Sequence, residues 1–154
     1  GDLDTAKKLI DVAALSGCDA VKFQKRNPDV CVPEHQKNVM RDTPWGTMTY
    51  LDYKYRMEFE KKEYDEIDAY CRKKGIEWSA SPWDMDSLEF LLQYDIPFIK
   101  IPSAMITNEQ LMRESAQTGK KVIFSAGMST LSETDRAVKW MSEEGGDFAL
   151  LHCN

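Results

Sequence analysis

The sequence predicts an α/β fold of the (β/α)8 TIM-barrel type, present as a partial barrel of about five parallel strands with intervening helices. Short apolar runs alternate with segments of helical patterning, and each run ends in polar residues. No GxGxxG or GxxxxGK(S/T) loop follows any run, which disfavours the open nucleotide-binding sheet that the same alternation could form. A barrel gathers its active site at the carboxyl ends of several strands, where these polar residues are expected to lie.

The predicted elements begin with a helix whose stripe of alanine, leucine and isoleucine ends near Gly17, and a strand over residues 19–25 follows. Residues 27–56 are expected to be a long irregular connection, because prolines and a glycine interrupt any sustained pattern. The remainder alternates regularly: helix 60–74, strand 76–81, helix 85–94, strand 97–102, helix 108–118, strand 121–126, helix 131–144 and strand 148–153.

Residues 1–154 are expected to form a single domain, since this length suits one hydrophobic core. They do not complete an eight-fold barrel, because no strand precedes the first helix and the sequence stops on a strand. We therefore interpret them as the middle of a larger barrel, without its first strand and its last strands. An isolated arc of strands leaves its two edges unpaired.

Composition narrows the class of protein. The formal net charge of −6 argues against a nucleic-acid partner, which requires clustered basic residues. No apolar run is long enough to span a membrane, and no signal peptide opens the sequence. The four cysteines show neither CxxC pairing nor zinc-ligand spacing, and their apolar neighbours predict buried free thiols. The expected compartment is the cytoplasm.

Two lysines within apolar strands are the sharpest functional signal. Lysine at such a position is costly unless it meets a charge or lines a cavity. Lys22 and Lys100 both occupy such positions, and each precedes a polar strand end. Either lysine alone could extend from an exposed edge strand into solvent. Their recurrence at equivalent positions in two strands favours a shared role in one site.

Three serines at strand ends strengthen this interpretation. Ser81, Ser103 and Ser125 each fall where a strand gives way to a loop, and singly each is explained as well by a helix cap or a turn. Together with two lysines they form the donor set of an oxyanion or phosphate cradle. Gly127, which closely follows Ser125, is expected to let the backbone approach a ligand.

The histidines do not predict a metal site. His152 and Asn154 follow the last apolar run, whereas His35 lies in the irregular segment. A single histidine on a strand is more often a structural hydrogen-bonding group than a metal ligand. These residues therefore cannot assemble a complete metal site by themselves.

The sequence resembles the catalytic barrel of the sialic acid synthase family, the N-acetylneuraminate synthases and their relatives, over essentially its whole length. No single matching block is decisive, but the collinear set is specific. The blocks are Gly1-Asp2-Leu3-Asp4 with its helix, Asp19-Ala20-Val21-Lys22-Phe23-Gln24-Lys25, Trp45-Gly46 with Thr49-Tyr50, Glu58-Phe59, Ser79-Ala80-Ser81, Pro97-Phe98-Ile99-Lys100-Ile101-Pro102-Ser103, Ser125-Ala126-Gly127-Met128 and Leu151-His152-Cys153-Asn154.

The resemblance implies condensation of phosphoenolpyruvate with an N-acetylated amino sugar such as N-acetylmannosamine, giving a 2-keto acid and phosphate. It implies that Lys22 and Lys100 are the catalytic charges and that Gln24 contacts the acceptor sugar. The phosphate and carboxylate of phosphoenolpyruvate are expected to be held by Lys22, Ser81, Lys100, Ser103, Ser125 and Asn154.

The resemblance also implies features beyond this sequence: a divalent metal (Mn²⁺ or Mg²⁺) with histidine ligands downstream of Asn154, a C-terminal antifreeze-like domain and a homodimer. One position departs from the family pattern. After Ser103, characterised N-acetylneuraminate synthases often carry Gly-Glu or Gly-Asp, whose acid contacts the sugar, and here Ala104-Met105 stands instead. The acceptor therefore stays open between N-acetylmannosamine and a diacetamido sugar of the legionaminic branch.

Two other functions remain open. A Schiff-base aldolase on the same barrel could use Lys22 or Lys100 as its nucleophile. A non-catalytic protein that binds an anionic sugar for a partner would need the same cationic pocket without turnover.

Overall fold

Parallel strands alternating with helices make up most of the molecule. A computed structural model describes residues 1–153. In chain order the elements are α1 (Leu3–Leu15), β1 (Ala20–Lys25), α2 (Pro28–Cys31), α3 (Glu34–Lys37), β2 (Met40–Thr43), β3 (Gly46–Thr49), α4 (Tyr50–Met57), α5 (Lys61–Lys74), β4 (Glu77–Pro82), α6 (Met85–Leu91), β5 (Phe98–Ile101), a 3-10 turn (Ser103–Met105), α7 (Glu109–Gln117), β6 (Lys121–Ser125), α8 (Leu131–Glu143) and β7 (Phe148–Leu151).

The parallel strands form two neighbouring sheets. β1 pairs with β4, and β5, β6 and β7 pair in that order. Between the sheets, the Ser79 hydroxyl on β4 donates a hydrogen bond to the Phe98 carbonyl on β5. Among residues 1–153, no backbone ladder joins these two strands. The predicted α/β class with parallel strands is confirmed.

Residues 27–56 are more ordered than predicted. β2 and β3 form an antiparallel hairpin, and the Thr43 hydroxyl closes its turn by donating to the Gly46 carbonyl at 2.7 Å. Gly46 has a φ of +99°, a conformation that favours glycine. Thr49 then caps α4 by accepting from the Asp52 N–H at 3.1 Å. The prediction of a wholly irregular connection was wrong, because these elements are too short to show a period.

The main core lies between the strands and the helices that cover one face of them. Because successive strand residues point to opposite faces, the apolar members of each strand share this buried face. The fully buried side chains of the core include Ile10, Tyr64, Ile67, Leu91, Ile99, Ile101, Leu111, Met112, Phe124 and Met141. The predicted apolar positions of the strands therefore serve packing, which leaves the opposite face for polar residues.

Helix α1 covers the strands with only part of its apolar surface. Ala6 and Ile10 are buried, whereas Leu9, Val12 and Leu15 are exposed. Leu9, which belongs to the predicted apolar stripe of this helix, is therefore left uncovered by the described residues. The apolar surface of α1 is wider than the part that the described residues cover.

The cysteines are less buried than the sequence suggested. All four are free, as predicted, and Cys71 is buried. Cys18 is exposed, while Cys31 and Cys153 are half-buried, so the prediction of buried thiols holds fully only for Cys71. Burial raises the pKa of the Cys71 thiol to about 11. Within residues 1–153, no helix combines the length and hydropathy needed to cross a membrane.

Candidate active site

The polar strand residues lie on the face opposite the main core. In the parallel pairing of β1 and β4, Lys22 stands opposite Ser79 and Gln24 opposite Ser81. Since partners in register project to the same face, these side chains form one polar surface. Lys100 occupies the corresponding face of β5. The structure therefore brings together residues from β1, β4 and β5, as the sequence predicted.

Lys100 is held in the middle of this surface by short hydrogen bonds. Its ammonium group donates to the Ser125 hydroxyl at 2.6 Å and to the Ile101 carbonyl at 2.8 Å. The side chain is half-buried, and β5 pairs with β6 on one side while its other side receives only the Ser79 side-chain bond from β4. Because its ammonium group is bonded to Ser125 and to the Ile101 carbonyl, Lys100 does not simply extend from a strand edge into solvent.

Lys22 has a more open setting. Its side chain is exposed, and its ammonium group donates to the carbonyl of Phe23 at 3.3 Å. Partial desolvation nevertheless lowers the pKa of Lys22 below its ordinary value. β1 pairs only with β4 among the described residues, so its other edge is unpaired and the explanation of a lysine extending from an edge strand still applies to Lys22.

The two lysines act on each other electrostatically. Desolvation is the main cause that lowers the pKa of Lys100, and the positive charge of Lys22 lowers it further. The thiol of Cys153 opposes these effects. Two cations that are near each other and have no carboxylate partner among the described residues favour an anion between them. The overall charge of −6 does not prevent this, because the field at the site is set by its nearest groups.

Two of the serine hydroxyls accept hydrogen bonds from neighbouring donors. Ser125 accepts from the Lys100 ammonium at 2.6 Å, and Ser103 accepts from the Gly127 N–H at 3.0 Å. Neither an ammonium group nor a backbone N–H can accept a hydrogen bond, so both hydroxyl protons remain free for another partner. Ammonium and hydroxyl donors converging on one surface suit an oxyanion ligand.

Ser81 adds a third hydroxyl with unused capacity. It is 1% exposed, and its oxygen has no hydrogen-bond partner within residues 1–153. A buried polar group without a partner costs free energy, which a bound acceptor can recover. Its strand neighbour Gln24 is half-buried on the same face. The Tyr64 hydroxyl fixes the backbone there by donating to the Gln24 carbonyl at 3.0 Å.

The remaining candidate positions are Asn154 and the two histidines. Asn154 lies outside the described residues. His152 and His35 are both exposed, and no group of three metal-ligating side chains occurs in residues 1–153. Residues 1–153 therefore do not by themselves supply a site for a divalent metal.

Sequence reasoning did not identify the electrostatic effect of Cys153 on Lys100, because the two residues lie far apart in the sequence. It noticed Gly127 but expected it to make room for a ligand. In the structure, the space beside Gly127 is occupied by Ser103 and Cys153.

The lowered pKa of Lys100 gives a direct chemical prediction. A lysine reacts with amine reagents as the neutral base, so Lys100 should label at a lower pH than a free lysine side chain does. Lys22→Met removes a positive charge that lowers the pKa of Lys100, so the pH at which half of Lys100 is labelled should rise. Mass spectrometry after brief acylation across a pH series measures both midpoints. Equal midpoints for Lys100 in the two proteins would contradict the coupling.

A comparison with protein families places this site in context. The model of the NeuB family matches residues 9–154. The chain belongs to the NeuB family. N-acetylneuraminate-9-phosphate synthase of Drosophila melanogaster is 36% identical over 99% of this chain and 42% of its own length. N,N'-diacetyllegionaminic acid synthase of Campylobacter jejuni is 33% identical over 99% of this chain and 47% of its own length. The chain thus spans less than half of these NeuB-family relatives.

Solved structures agree with this family assignment. N-acetylneuraminic acid (sialic acid) synthetase from Leptospira borgpetersenii, in complex with citrate, superposes with a TM-score of 0.86 and 31% identity, over 99% of this chain and 50% of that one. A DAHP synthase from Thermotoga maritima superposes over 97% of this chain and 37% of that one, with a TM-score of 0.65 and 12% identity. The second likeness concerns the fold alone.

Proposed function

We propose that the full-length protein condenses phosphoenolpyruvate with an N-acetylated amino sugar to give a sialic or related nonulosonic acid and inorganic phosphate. The observation that carries this proposal is the donor cluster in which the Lys100 ammonium binds the Ser125 hydroxyl beside the charge of Lys22. Relatives over the whole chain are synthases of N-acetylneuraminate 9-phosphate and of diacetyllegionaminic acid. The Leptospira relative forms a complex with citrate, which is itself a small anion.

The proposed chemistry uses this cluster to hold a dense anion. Lys22 and Lys100 neutralise the phosphate and carboxylate of phosphoenolpyruvate, while Ser81, Ser103 and Ser125 donate hydrogen bonds that orient it. C3 of the enol then attacks the aldehyde carbon of the sugar and forms the new C–C bond. Water adds at C2, and the C–O bond to phosphate breaks to leave the 2-keto acid.

Several wider features belong to the same proposal. The strands are part of a (β/α)8 barrel that is completed by residues outside this chain, and the full-length protein is a cytoplasmic homodimer. A divalent metal, Mn²⁺ or Mg²⁺, would be held by ligands outside residues 1–153 and would supply Lewis-acid chemistry toward the sugar aldehyde. In the same proposal, Gln24 contacts the acceptor sugar and Asn154 contacts phosphoenolpyruvate.

The acceptor sugar is proposed to be N-acetylmannosamine or a diacetamido relative. Met105 packs in part against the hydrophobic core, and Ala104 beside it is exposed. This turn therefore supplies no carboxylate for a sugar hydroxyl, which favours a more deoxygenated acceptor. A legionaminic acid synthase among the relatives agrees with that choice.

Phosphate release tests the proposed function. The full-length gene product, supplied with Mn²⁺ or Mg²⁺ and phosphoenolpyruvate, is expected to release phosphate only when a suitable N-acetyl hexosamine or diacetamido sugar is present. A panel of these sugars identifies the acceptor from the rate. Absence of release with every amino sugar would contradict the proposal and leave a binding protein as the better explanation.

A Schiff-base aldolase is the second candidate, because a lowered lysine pKa also suits a nucleophilic amine. The two mechanisms differ in covalent chemistry, since an aldolase passes through an imine and the synthase does not. Borohydride reduction in the presence of the substrates is expected to leave Lys22 and Lys100 unmodified. A reduced substrate adduct on either lysine, detected by mass spectrometry, would support the aldolase instead.

A further inference from the structure

Gly127 makes a specific contact with the proposed anion site. Its backbone N–H donates to the Ser103 hydroxyl oxygen at 3.0 Å. Gly127 lies in the turn after β6, whereas Ser103 begins the turn after β5. The bond therefore ties together the ends of two adjacent strands at the edge where the lysine and serine donors gather.

Residue 127 is glycine because there is no room for a side chain, and not because its backbone conformation requires glycine. Gly127 is not among the glycines with a positive φ, so its backbone does not require glycine. A Cβ atom built there would lie 2.9 Å from the Ser103 hydroxyl oxygen and 3.3 Å from the Cys153 Cβ. The hydroxyl contact is shorter than real Cβ atoms show, so the Ser103 side chain would have to rotate away.

The bond also decides which way the Ser103 proton can point. A backbone N–H only donates, so it occupies acceptor capacity of the hydroxyl and leaves its proton for a different partner. We propose that Gly127 is a positioning residue that holds the Ser103 hydroxyl as a hydrogen-bond donor toward an oxygen of phosphoenolpyruvate. This inference rests on the proposed function for the identity of the anion. It assigns Gly127 a role in binding that anion, exerted through Ser103.

A double-mutant cycle tests this dependence. In the full-length gene product, Gly127→Ala is expected to weaken phosphoenolpyruvate binding about tenfold by calorimetry, the effect of losing one hydrogen bond to a charged group. Ser103→Ala should weaken binding by a similar factor. In the Ser103→Ala background, adding Gly127→Ala should change the Kd by less than about twofold, because the hydroxyl it displaces is already gone. A general disturbance of the loop would instead give additive effects.

Ser129→Ala provides the matched control. The Ser129 hydroxyl donates to the Gly127 carbonyl at 3.3 Å in the same turn but does not contact Ser103 in the described structure. This variant should bind phosphoenolpyruvate like the wild type. An equal loss for Gly127→Ala with and without Ser103, or unchanged binding in Gly127→Ala, would overturn the inference.

Measuring both binding and turnover distinguishes failure of the proposed function from failure of the proposed role of Gly127. A wild-type protein that binds phosphoenolpyruvate but releases no phosphate with any amino sugar would overturn the proposed function. The double-mutant cycle of Gly127 and Ser103 would still test the role of Gly127 in binding. Normal turnover in Gly127→Ala with an unchanged Kd would overturn only the role of Gly127. A wild type without affinity for phosphoenolpyruvate would overturn both.

Discussion

Lys100→Met is expected to lower kcat/KM for phosphoenolpyruvate about a thousandfold in the full-length protein while leaving the fold intact. The substitution removes a positive charge that the structure holds against Ser125 at 2.6 Å, at the centre of the proposed anion site. Removing one preorganised donor to an oxyanion typically lowers kcat by about 10²–10³-fold. We expect a loss at the upper end of this range because Lys100 also carries a positive charge. The fold should persist because methionine preserves the length of the side chain and relieves repulsion with Lys22.

Lys121→Met is the matched control for this experiment. Lys121 lies at the start of β6, at the other end of the strand from Ser125, where it pairs with Asp147 at 3.4 Å. Its replacement should leave phosphate release within about twofold of the wild type, because exposed ion pairs contribute little. Near-normal kinetics for Lys100→Met, with circular dichroism unchanged in both variants, would count against the assignment of Lys100.

Asp84→Ala is expected to destabilise the protein by about 3 kcal/mol, since it removes a helix cap and leaves buried donors without an acceptor. Asp84 is 4% exposed and accepts from the backbone N–H groups of Ser87 and Asn27, each at 2.7 Å. The Cys31 thiol also donates to it at 3.1 Å. One carboxylate thus joins the start of α6 to the segment that follows β1, and its loss should loosen both.

Asp86→Ala separates this effect from a general loss of negative charge. Asp86 belongs to the first turn of the same helix, but it is exposed and accepts only from the Asn27 side chain, at 2.8 Å, among the described groups. Its removal should cost less than about 0.5 kcal/mol. Thermal unfolding compares the two variants, and hydrogen exchange should show faster opening near Ser87 only in Asp84→Ala. Equal melting temperatures for the two would refute the distinction.

The pattern of parallel strands could be predicted from sequence because each of them is a short run that follows a helix. Alternation also placed Lys22 and Gln24 on one face, which the register with β4 confirms. The hairpin between residues 40 and 49 was not readable, because it depends on a turn closed by the Thr43 hydroxyl rather than on a hydrophobic period.

Contacts between separate strands were the other limit of sequence reasoning. The lysines could be assigned to one site, but their mutual effect on pKa depends on how the two sheets are placed in space. The bond from Gly127 to Ser103 joins loops 24 residues apart, and nothing in either loop alone specifies it. Helix ends were easier, since the acceptor side chain and the N–H that it caps are local in sequence.

The contact between Ser79 and Phe98 has a mechanical consequence. Lys22 belongs to the sheet of β1 and β4, and Lys100 belongs to the sheet of β5, β6 and β7. Only this side-chain bond, rather than a ladder, crosses from β4 to β5 among the described hydrogen bonds. The spacing of the two ammonium groups is therefore set at a seam that can adjust with little loss of backbone pairing. An anion that contacts both lysines would form a second link between the two sheets and would limit their movement relative to each other.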